Sequence, residues 1–378
     1  MKIAFIISHI NSSMQWVWFS EELKKRNIEH IYILINETPP HLIEKLKNLN
    51  IEVHYLPHRN FLYFIKNFFV VSSILIREKI NLVHTEMPYG NLVGQTAAWF
   101  CRIKMRVTTC ENTSWAFDFN SKKQEFIDRL TFRLAKRVIA LTDEALAFLK
   151  VHFNIADYKL SIIHHSLKSE DYLFQNEKRI EDLKKKLDIT PDLFIIGMVA
   201  RFEFWKGHIY AIEAFEKISK EFPNIRLLIF GSKGESFETV INFIREKNLQ
   251  DKIMYKGFVS DNIALFRLFD IHLHIPIKKE SETFGINIME GMISGCAQVL
   301  TLSGISCFTA KNEENCLVVP YTSTEAVYTA LKRMITDPEL RKRLGNRAKE
   351  DALKYFQYSE KVQRHINLYT ELGRELNQ

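Results

Sequence analysis

Residues 197–208 read Gly197-Met198-Val199-Ala200-Arg201-Phe202-Glu203-Phe204-Trp205-Lys206-Gly207-His208. The apolar run Phe194–Val199 predicts a buried strand and the pattern Ile209–Phe222 predicts a helix, so two cations sit in the loop that joins them. Strand, short loop and helix in that order are the repeating unit of a wound parallel sheet. At the start of such a helix, free N–H groups and the dipole add to the charges of Arg201 and Lys206, which makes the loop an anion site. A diphosphate makes the best use of a guanidinium fork beside a point ammonium. An ordinary loop with solvated charges is the plainer alternative.

The same alternation extends in both directions. Before the loop, strands are predicted at Ile3–Ile7, His30–Ile35, Ile51–Tyr55, Leu82–Thr85, Arg106–Thr109 and Arg137–Leu141. Helices are predicted at Met14–Lys25, His41–Leu49, Phe61–Lys79, Gly90–Arg102, Lys122–Lys136 and Asp143–Val151. After it come strands at Arg226–Phe230, Ile253–Lys256, His272–His274, Gln298–Thr301 and Leu317–Val319, with helices between and after them up to Tyr355. After Ser161–His164 comes a charged stretch from Lys168 to Asp188, without strand pattern, which marks the joint between two domains. A chain of 378 residues is too long for one ordinary core, and two wound domains in series leave a cleft where their strand ends face each other. The fold class expected is α/β, with two Rossmann-like domains over 1–166 and 167–356.

Composition narrows the function. Hydrophobic residues at 46% and charged residues at 26% exclude a disordered or fibrous chain. The net charge is +7, and residues 1–165 hold 21 basic against 15 acidic side chains, so the surplus sits in the first half. No arginine-rich tract or zinc module is present, and no nucleic-acid partner is expected. An anionic membrane surface or a phosphorylated acceptor suits the surplus better. Five cysteines (101, 110, 296, 307 and 316) with no close pair argue against a disulfide scaffold. The apolar start Ile3–Ile7 is too short for a signal peptide, and Phe61–Ile76 is broken by Lys66 and Asn67, so a cytoplasmic protein is expected.

A second segment, Lys279-Glu280-Ser281-Glu282-Thr283-Phe284-Gly285-Ile286-Asn287-Ile288-Met289-Glu290-Gly291, places one acid at the mouth of a helix and another along its side. Gly285 permits close backbone approach to a ligand. Carboxylates would repel a nearby diphosphate but accept hydrogen bonds from sugar and ribose hydroxyls.

Arg201 and Lys206-Gly207 followed by Glu282 and Glu290, eight apart, resemble the retaining glycosyltransferases of family 4, which have the two-domain GT-B fold. Leu227–Gly231 and Ile253–Val259 resemble two further segments of that family, in the same order. The resemblance implies that Arg201 and Lys206 neutralise the donor diphosphate and that Glu290 holds the ribose. It gives the donor sugar to Glu282 with the backbone of Phe284, Gly285 and Ile286. It places the nucleobase at Gly257, Phe258 and Val259, with Gly231 near the donor, and returns the last helix, 357–378, to the first domain.

The chain departs from the family where a Gly-Gly pair and a histidine are usual. Ser12 and Ser13 stand in the first loop, and Glu111 and Asn112 stand after the fifth strand. His164-His165 replaces an Asn-Gly, and Gly304-Ile305-Ser306-Cys307 replaces a glycine–proline–acid segment. Adjacent histidines on a strand point to opposite faces and do not share a metal ion. Cys110 reads as a packed thiol, and the stripe Phe61, Phe64, Ile65, Phe68, Phe69, Ser72 reads most simply as core, with a membrane-facing helix as the alternative.

The implied function is transfer, with retention, of a hexosyl or N-acetylhexosaminyl group from a nucleoside diphosphate sugar (UDP-sugar favoured over GDP-sugar). The acceptor is a glycan or a lipid-linked intermediate of bacterial cell-surface polysaccharide, with possible contact at the inner membrane face. No cofactor and no metal are expected. The alternatives are a nucleotide-sugar 2-epimerase of the same fold and a nucleotide-sugar-binding protein without transferase activity.

Overall fold

The computed structural model of the chain describes residues 1–11, 13–59, 61–111, 121–173, 177–259 and 261–376. Ser12 and Asn112 lie outside them. Seven strands form one sheet: β1 (Lys2–Ser8), β2 (Glu29–Asn36), β3 (Glu52–Pro57), β4 (Leu82–Glu86), β5 (Met105–Cys110), β6 (Arg137–Ala140) and β7 (Leu160–Ile162). Their order is β3-β2-β1-β4-β5-β6-β7, and every pair is parallel, with Ala4 of β1 between Ile31 and Val83. Six more form a second parallel sheet: β8 (Phe194–Val199), β9 (Ile225–Phe230), β10 (Ile253–Tyr255), β11 (Ile271–His274), β12 (Ala297–Leu300) and β13 (Leu317–Val318). Their order is β10-β9-β8-β11-β12-β13. Each sheet reverses its order beside its first strand, as Rossmann-like sheets do.

Helices cover both faces of such a sheet, so its strands are buried on both sides and read as unbroken apolar runs. In β1, Ile3 to Ser8 are all buried. The chain divides into two compact units, Met1–Ser166 with Tyr358–Gln378, and Leu167–Gln357. The last helix, Tyr358–Glu375, buries Tyr369 within the first unit, its hydroxyl 2.6 Å from His84 Nδ1. Among the described residues no helix is long and apolar enough to cross a membrane.

Three local expectations change. Ser161–His164, left without an element of its own, contributes Ser161 and Ile162 to β7, which pairs with β6 and extends the first sheet. The charged stretch after Lys168 contains the helix Glu177–Lys186, whose Leu183 packs with Leu187, Leu228 and Phe266 in the core of the second unit. A helix this polar is stable because one apolar side is buried, not because of its own propensity. The helix Phe61–Arg77 turns a different side to the core than its phenylalanine stripe suggests. Val71, Ser72, Ile74 and Leu75 are buried, Phe64 and Phe68 are half-buried, and Ile65 and Phe69 are exposed. The helix is apolar nearly all round, so its periodicity could not locate the buried side.

Candidate functional site

In the second unit every segment singled out in the sequence leaves the carboxyl end of a strand. Residues 200–207 follow β8, Gly231 follows β9, Gly257–Val259 follow β10, and 275–285 follow β11. That edge is where open α/β sheets bind ligands.

The first loop is shaped by Phe202. Its fully buried ring stacks on His208 at 4.7 Å and meets Phe237 and Tyr255 edge-on, which leaves Arg201 to project outward. The Arg201 side chain is 62% exposed, with Glu203 Oε1 3.7 Å from its guanidinium. Lys206 ends a single 3-10 turn, Phe204–Lys206, and Trp205 O accepts from Ile277 N (3.0 Å). Gly207 follows at φ +80°, and a Cβ there would lie 2.1 Å from Ile275 O. Only glycine fits this crossing. Gly207→Ala is expected to cost about 2 kcal/mol, from strain at positive φ and from displaced backbone. Chemical denaturation measures it, and an unchanged midpoint would mean the two loops are not in contact as described.

Lys206 Nζ donates to Glu282 Oε1, and both side chains are largely buried. His274, in β11, brings Nε2 to 3.2 Å from the same oxygen, close but poorly aligned for a hydrogen bond. Its tautomer follows from Asn287. That amide nitrogen donates both to Val199 O (2.6 Å) and to His274 Nδ1 (2.9 Å), so the neutral ring carries its proton on Nε2, turned toward Glu282. Burial raises the Glu282 carboxyl, but Lys206 and His274 outweigh it and hold the group at about 2. The backbone is held as well: Glu282 N donates to Ser303 Oγ (2.9 Å) and Ile305 N to Phe284 O (2.7 Å). Gly304 lies so close that a Cβ would meet Phe284 O at 2.5 Å. Phe284 is buried, Gly285 takes φ +86°, and the helix Ile286–Ile293 starts beyond it.

Glu290, inside that helix, accepts through Oε1 from Asn262 Nδ2 (2.9 Å) and from the Tyr172 hydroxyl (3.1 Å). Burial pushes its carboxyl up to about 7, against the lowering effect of those two donors. Asn262 opens the helix that follows the Gly257–Val259 loop, so it links that loop to Glu290. Gly231 N donates to Gly257 O (3.0 Å), and the Tyr255 hydroxyl donates to Gly231 O (3.1 Å). Gly257 takes φ +71°, Phe258 is exposed and Val259 is half-buried. Among the described residues, Glu282 and Glu290 are both bonded through Oε1, which leaves Oε2 of each to accept from a ligand.

In the first unit, Ser13 precedes the helix Met14–Lys25 without a side-chain capping bond. Glu111 follows β5 and faces His165 Nε2 at 3.4 Å. Lys361, from the last helix, donates to Gln15 Oε1 (2.7 Å) and reaches His165 Nδ1 at 3.4 Å. Glu86, at the end of β4, accepts from Trp16 Nε1 (3.2 Å). Burial and the Glu111 charge raise the Glu86 carboxyl well above the usual range. Burial works against ionisation of Glu111 too, but His165 and Lys361 bring it below its ordinary value. His165 therefore serves an internal charge cluster, while His164 Nδ1 lies 2.7 Å from Leu141 O. Among the described residues, no three of His, Cys, Asp and Glu are placed to hold a metal ion.

The family of glycosyl transferases group 1 matches residues 179–351, and glycosyltransferase family 4 matches residues 17–170. The chain belongs to glycosyltransferase family 4. An uncharacterized glycosyltransferase of Methanocaldococcus jannaschii is 22% identical over 303 residues, 79% of this chain and 77% of its own. The N-acetylgalactosamine-N,N'-diacetylbacillosaminyl-diphospho-undecaprenol 4-alpha-N-acetylgalactosaminyltransferase of Campylobacter jejuni is 25% identical over 252 residues, 63% of this chain and 64% of its own. Among solved structures, HepE of Anabaena in complex with UDP and glucose superposes with a TM-score of 0.82 at 16% identity, covering 98% of this chain and 100% of that one. The glycosyltransferase thus has the GT-B architecture, with two parallel Rossmann-like sheets.

Four residues of the glycosyltransferase's candidate site escaped the sequence reading: His274, Asn287, Tyr172 and Asn262. A signal for one was present, since Ile271-His272-Leu273-His274-Ile275 puts two imidazoles on one side of an otherwise apolar strand. His272 takes the plainer role there, with Gln298 Nε2 3.0 Å from its Nδ1.

Proposed function

We propose that this glycosyltransferase moves a sugar from a nucleoside diphosphate donor to a glycan or lipid-linked acceptor of bacterial cell-surface polysaccharide, with retention and without a metal ion. The Lys206–Glu282 pair carries the donor reading. An ammonium has three donors, so Lys206 can keep Glu282 and still bond a phosphate oxygen. Arg201, exposed in the same loop, adds a second charge. A departing diphosphate is already a stable anion, and fixed cations stabilise the charge that develops on it. Glu282 stays ionised far below neutral pH, which suits it to accepting sugar hydroxyls and not to protonating a leaving group. Glu290 then takes the ribose. A retaining glycosidase needs two carboxyls across the scissile bond; with these two committed elsewhere, departure and attack on the same face of the sugar is the consistent route to retention.

HepE, in complex with UDP and glucose, supports UDP over GDP, and the Campylobacter relative, whose name carries a diphospho-undecaprenol, supports a lipid-linked acceptor bound by the basic first unit. Thermal stabilisation by a panel of nucleotide sugars tests the donor. A ligand at 100 times its dissociation constant adds about 2.7 kcal/mol, and no response to any uridine or guanosine sugar would overturn the reading. Anomeric coupling in the product reports retention. Donor turnover without acceptor would replace the reading with a 2-epimerase, and binding without turnover with a donor-binding protein; the missing family histidine, whose place falls to Asn112 or Cys110 with Glu111 the nearest ionisable group, motivates both alternatives.

Transfer is expected to continue in excess EDTA at nearly the untreated rate. Enzymes that recruit a divalent ion to the diphosphate hold it with paired acids, and the sequence has no Asp-x-Asp. Initial velocities with and without chelator, then with added Mg²⁺ or Mn²⁺, decide the matter. Activity lost to EDTA and restored by either ion would withdraw the roles given to Arg201 and Lys206.

A further inference from the structure

Among the described residues of the first unit, seven of the eleven large apolar side chains left at the surface lie on three helices that pack side by side: Phe61–Arg77, Pro88–Phe100 and Lys122–Leu134. On the first of them Ile65, Phe69 and Ile76 are exposed at positions i, i+4 and i+11. At about 100° per residue these fall within roughly 40° of one another, a single stripe along the helix. Lys66 and Arg77 sit one position further round, along one edge of it. The stripe continues onto the next helix through Phe68, whose ring lies 5.2 Å from Phe69 and 5.4 Å from Phe100. There Trp99 and Phe100 are both more than half exposed, and Arg102 and Lys104 follow at the surface. The third helix exposes Phe126 at 68%, with Lys122 and Arg133 on the same side.

Single exposed apolar residues are ordinary, but a contiguous patch of aromatic and branched side chains marks a partner. Charge identifies that partner. Residues 61–136 carry 11 basic and 6 acidic side chains, which is five of the chain's seven surplus positive charges. Two of the acids, Glu86 and Glu111, belong to the internal cluster; two more, Glu78 and Glu125, are ion-paired with Lys2, Arg77 and Arg129, which balances those bases and leaves the charge of the face to exposed Lys66, Arg102, Lys104 and Lys122. A second copy of the chain would set like charges against each other in a symmetric contact. An apolar stripe edged by lysine and arginine is instead the pattern of a helix that lies in the plane of an anionic bilayer.

We propose that these three helices seat the protein on an anionic phospholipid bilayer. Ile65, Phe69, Ile76, Trp99, Phe100 and Phe126 enter the boundary between head groups and acyl chains, and the neighbouring cations meet the phosphates. This surface stands on its own observations, whether or not the acceptor is lipid-linked.

The full chain is sedimented with vesicles of phosphatidylcholine alone, and with vesicles of equal parts phosphatidylcholine and phosphatidylglycerol. Binding is expected to the mixed vesicles and to be largely lost with phosphatidylcholine alone or at high salt. The variant F69S/W99S removes apolar depth, and K66E/R102E reverses two charges at the rim. Each is expected to weaken partition at least about tenfold. All four side chains are at the surface, and calorimetry with UDP tests separately that the donor site is intact, so failure on vesicles and failure of the donor reading are told apart. Equal binding to both lipids, no binding to either, or variants that bind like the parent would overturn the proposal. So would a dimer, seen by sedimentation velocity, that the F69S/W99S variant dissolves, since the face would then belong to a second copy.

Discussion

Lys206→Ala is expected to lower transfer by more than 100-fold while the protein stays folded. At about 1.4 kcal/mol for each factor of ten, that is a loss near 3 kcal/mol, the size seen when one fixed donor to a developing anion is removed. The Lys206–Glu282 contact introduces a second cause of lost activity, because the variant also leaves a largely buried carboxylate with only His274 beside it. Removing one partner of a buried pair destabilises by itself. The double variant K206A/E282Q, set beside E282Q alone, separates the two. If Lys206 serves only to neutralise Glu282, it adds nothing once that charge is gone, and the double variant transfers like E282Q. If it serves the diphosphate, stability recovers and the double variant transfers far more slowly than E282Q. A K206A variant within threefold of the parent, or a double variant that matches E282Q, would sink the diphosphate role.

What was legible in the sequence is what local chemistry encodes. Arg201, Lys206, Glu282 and Glu290 stand out because charged side chains at the ends of apolar runs add nothing to a core and sit where a ligand would meet the sheet. The wound sheets stand out because strands buried on both faces cannot be amphipathic. Residues assembled by tertiary contact were not legible. Tyr172 reaches Glu290 from a five-residue helix, Ser169–Leu173, too short to form alone, and Arg267 holds its carbonyl in place at 2.8 Å. Lys361 lies 250 residues from Glu111 in a helix whose pattern shows only that one side is buried. The outward stripe of Phe61–Arg77 was hidden for the opposite reason: apolar residues on every side but the narrow one of Lys66, Ser73 and Arg77 left little contrast to read.

Glu290→Gln is expected to weaken nucleotide binding and, unlike most changes to a buried residue, to stabilise the free protein. In the folded state burial raises this carboxyl from its ordinary 4.5 to about 7. A raised carboxyl favours the protonated form, so its contribution to stability is fully present below pH 4.5 and is lost as pH rises from 4.5 to 7. Above pH 7 the loss is about 3 kcal/mol, at about 1.4 kcal/mol for each tenfold change in proton affinity. Glutamine has no charge to bury, and its amide oxygen can still accept from Tyr172 and Asn262. The melting temperature of the variant should therefore exceed the parent's at about pH 8, and the gap should be small at about pH 5. Nucleotide binding moves the other way. The Oε2 that would accept a ribose hydroxyl becomes an amide or a neutral oxygen, and losing a charge-assisted bond weakens UDP affinity about tenfold at pH 8. In the parent, UDP affinity should fall as pH is lowered through about 7 and Glu290 takes up its proton; in the variant that dependence should flatten. Calorimetry with UDP at the two pH values, beside thermal melts of both proteins, measures all of this. A variant that melts like the parent at the higher pH and binds UDP equally well would mean that Glu290 neither buries a charge in the free protein nor faces the ribose.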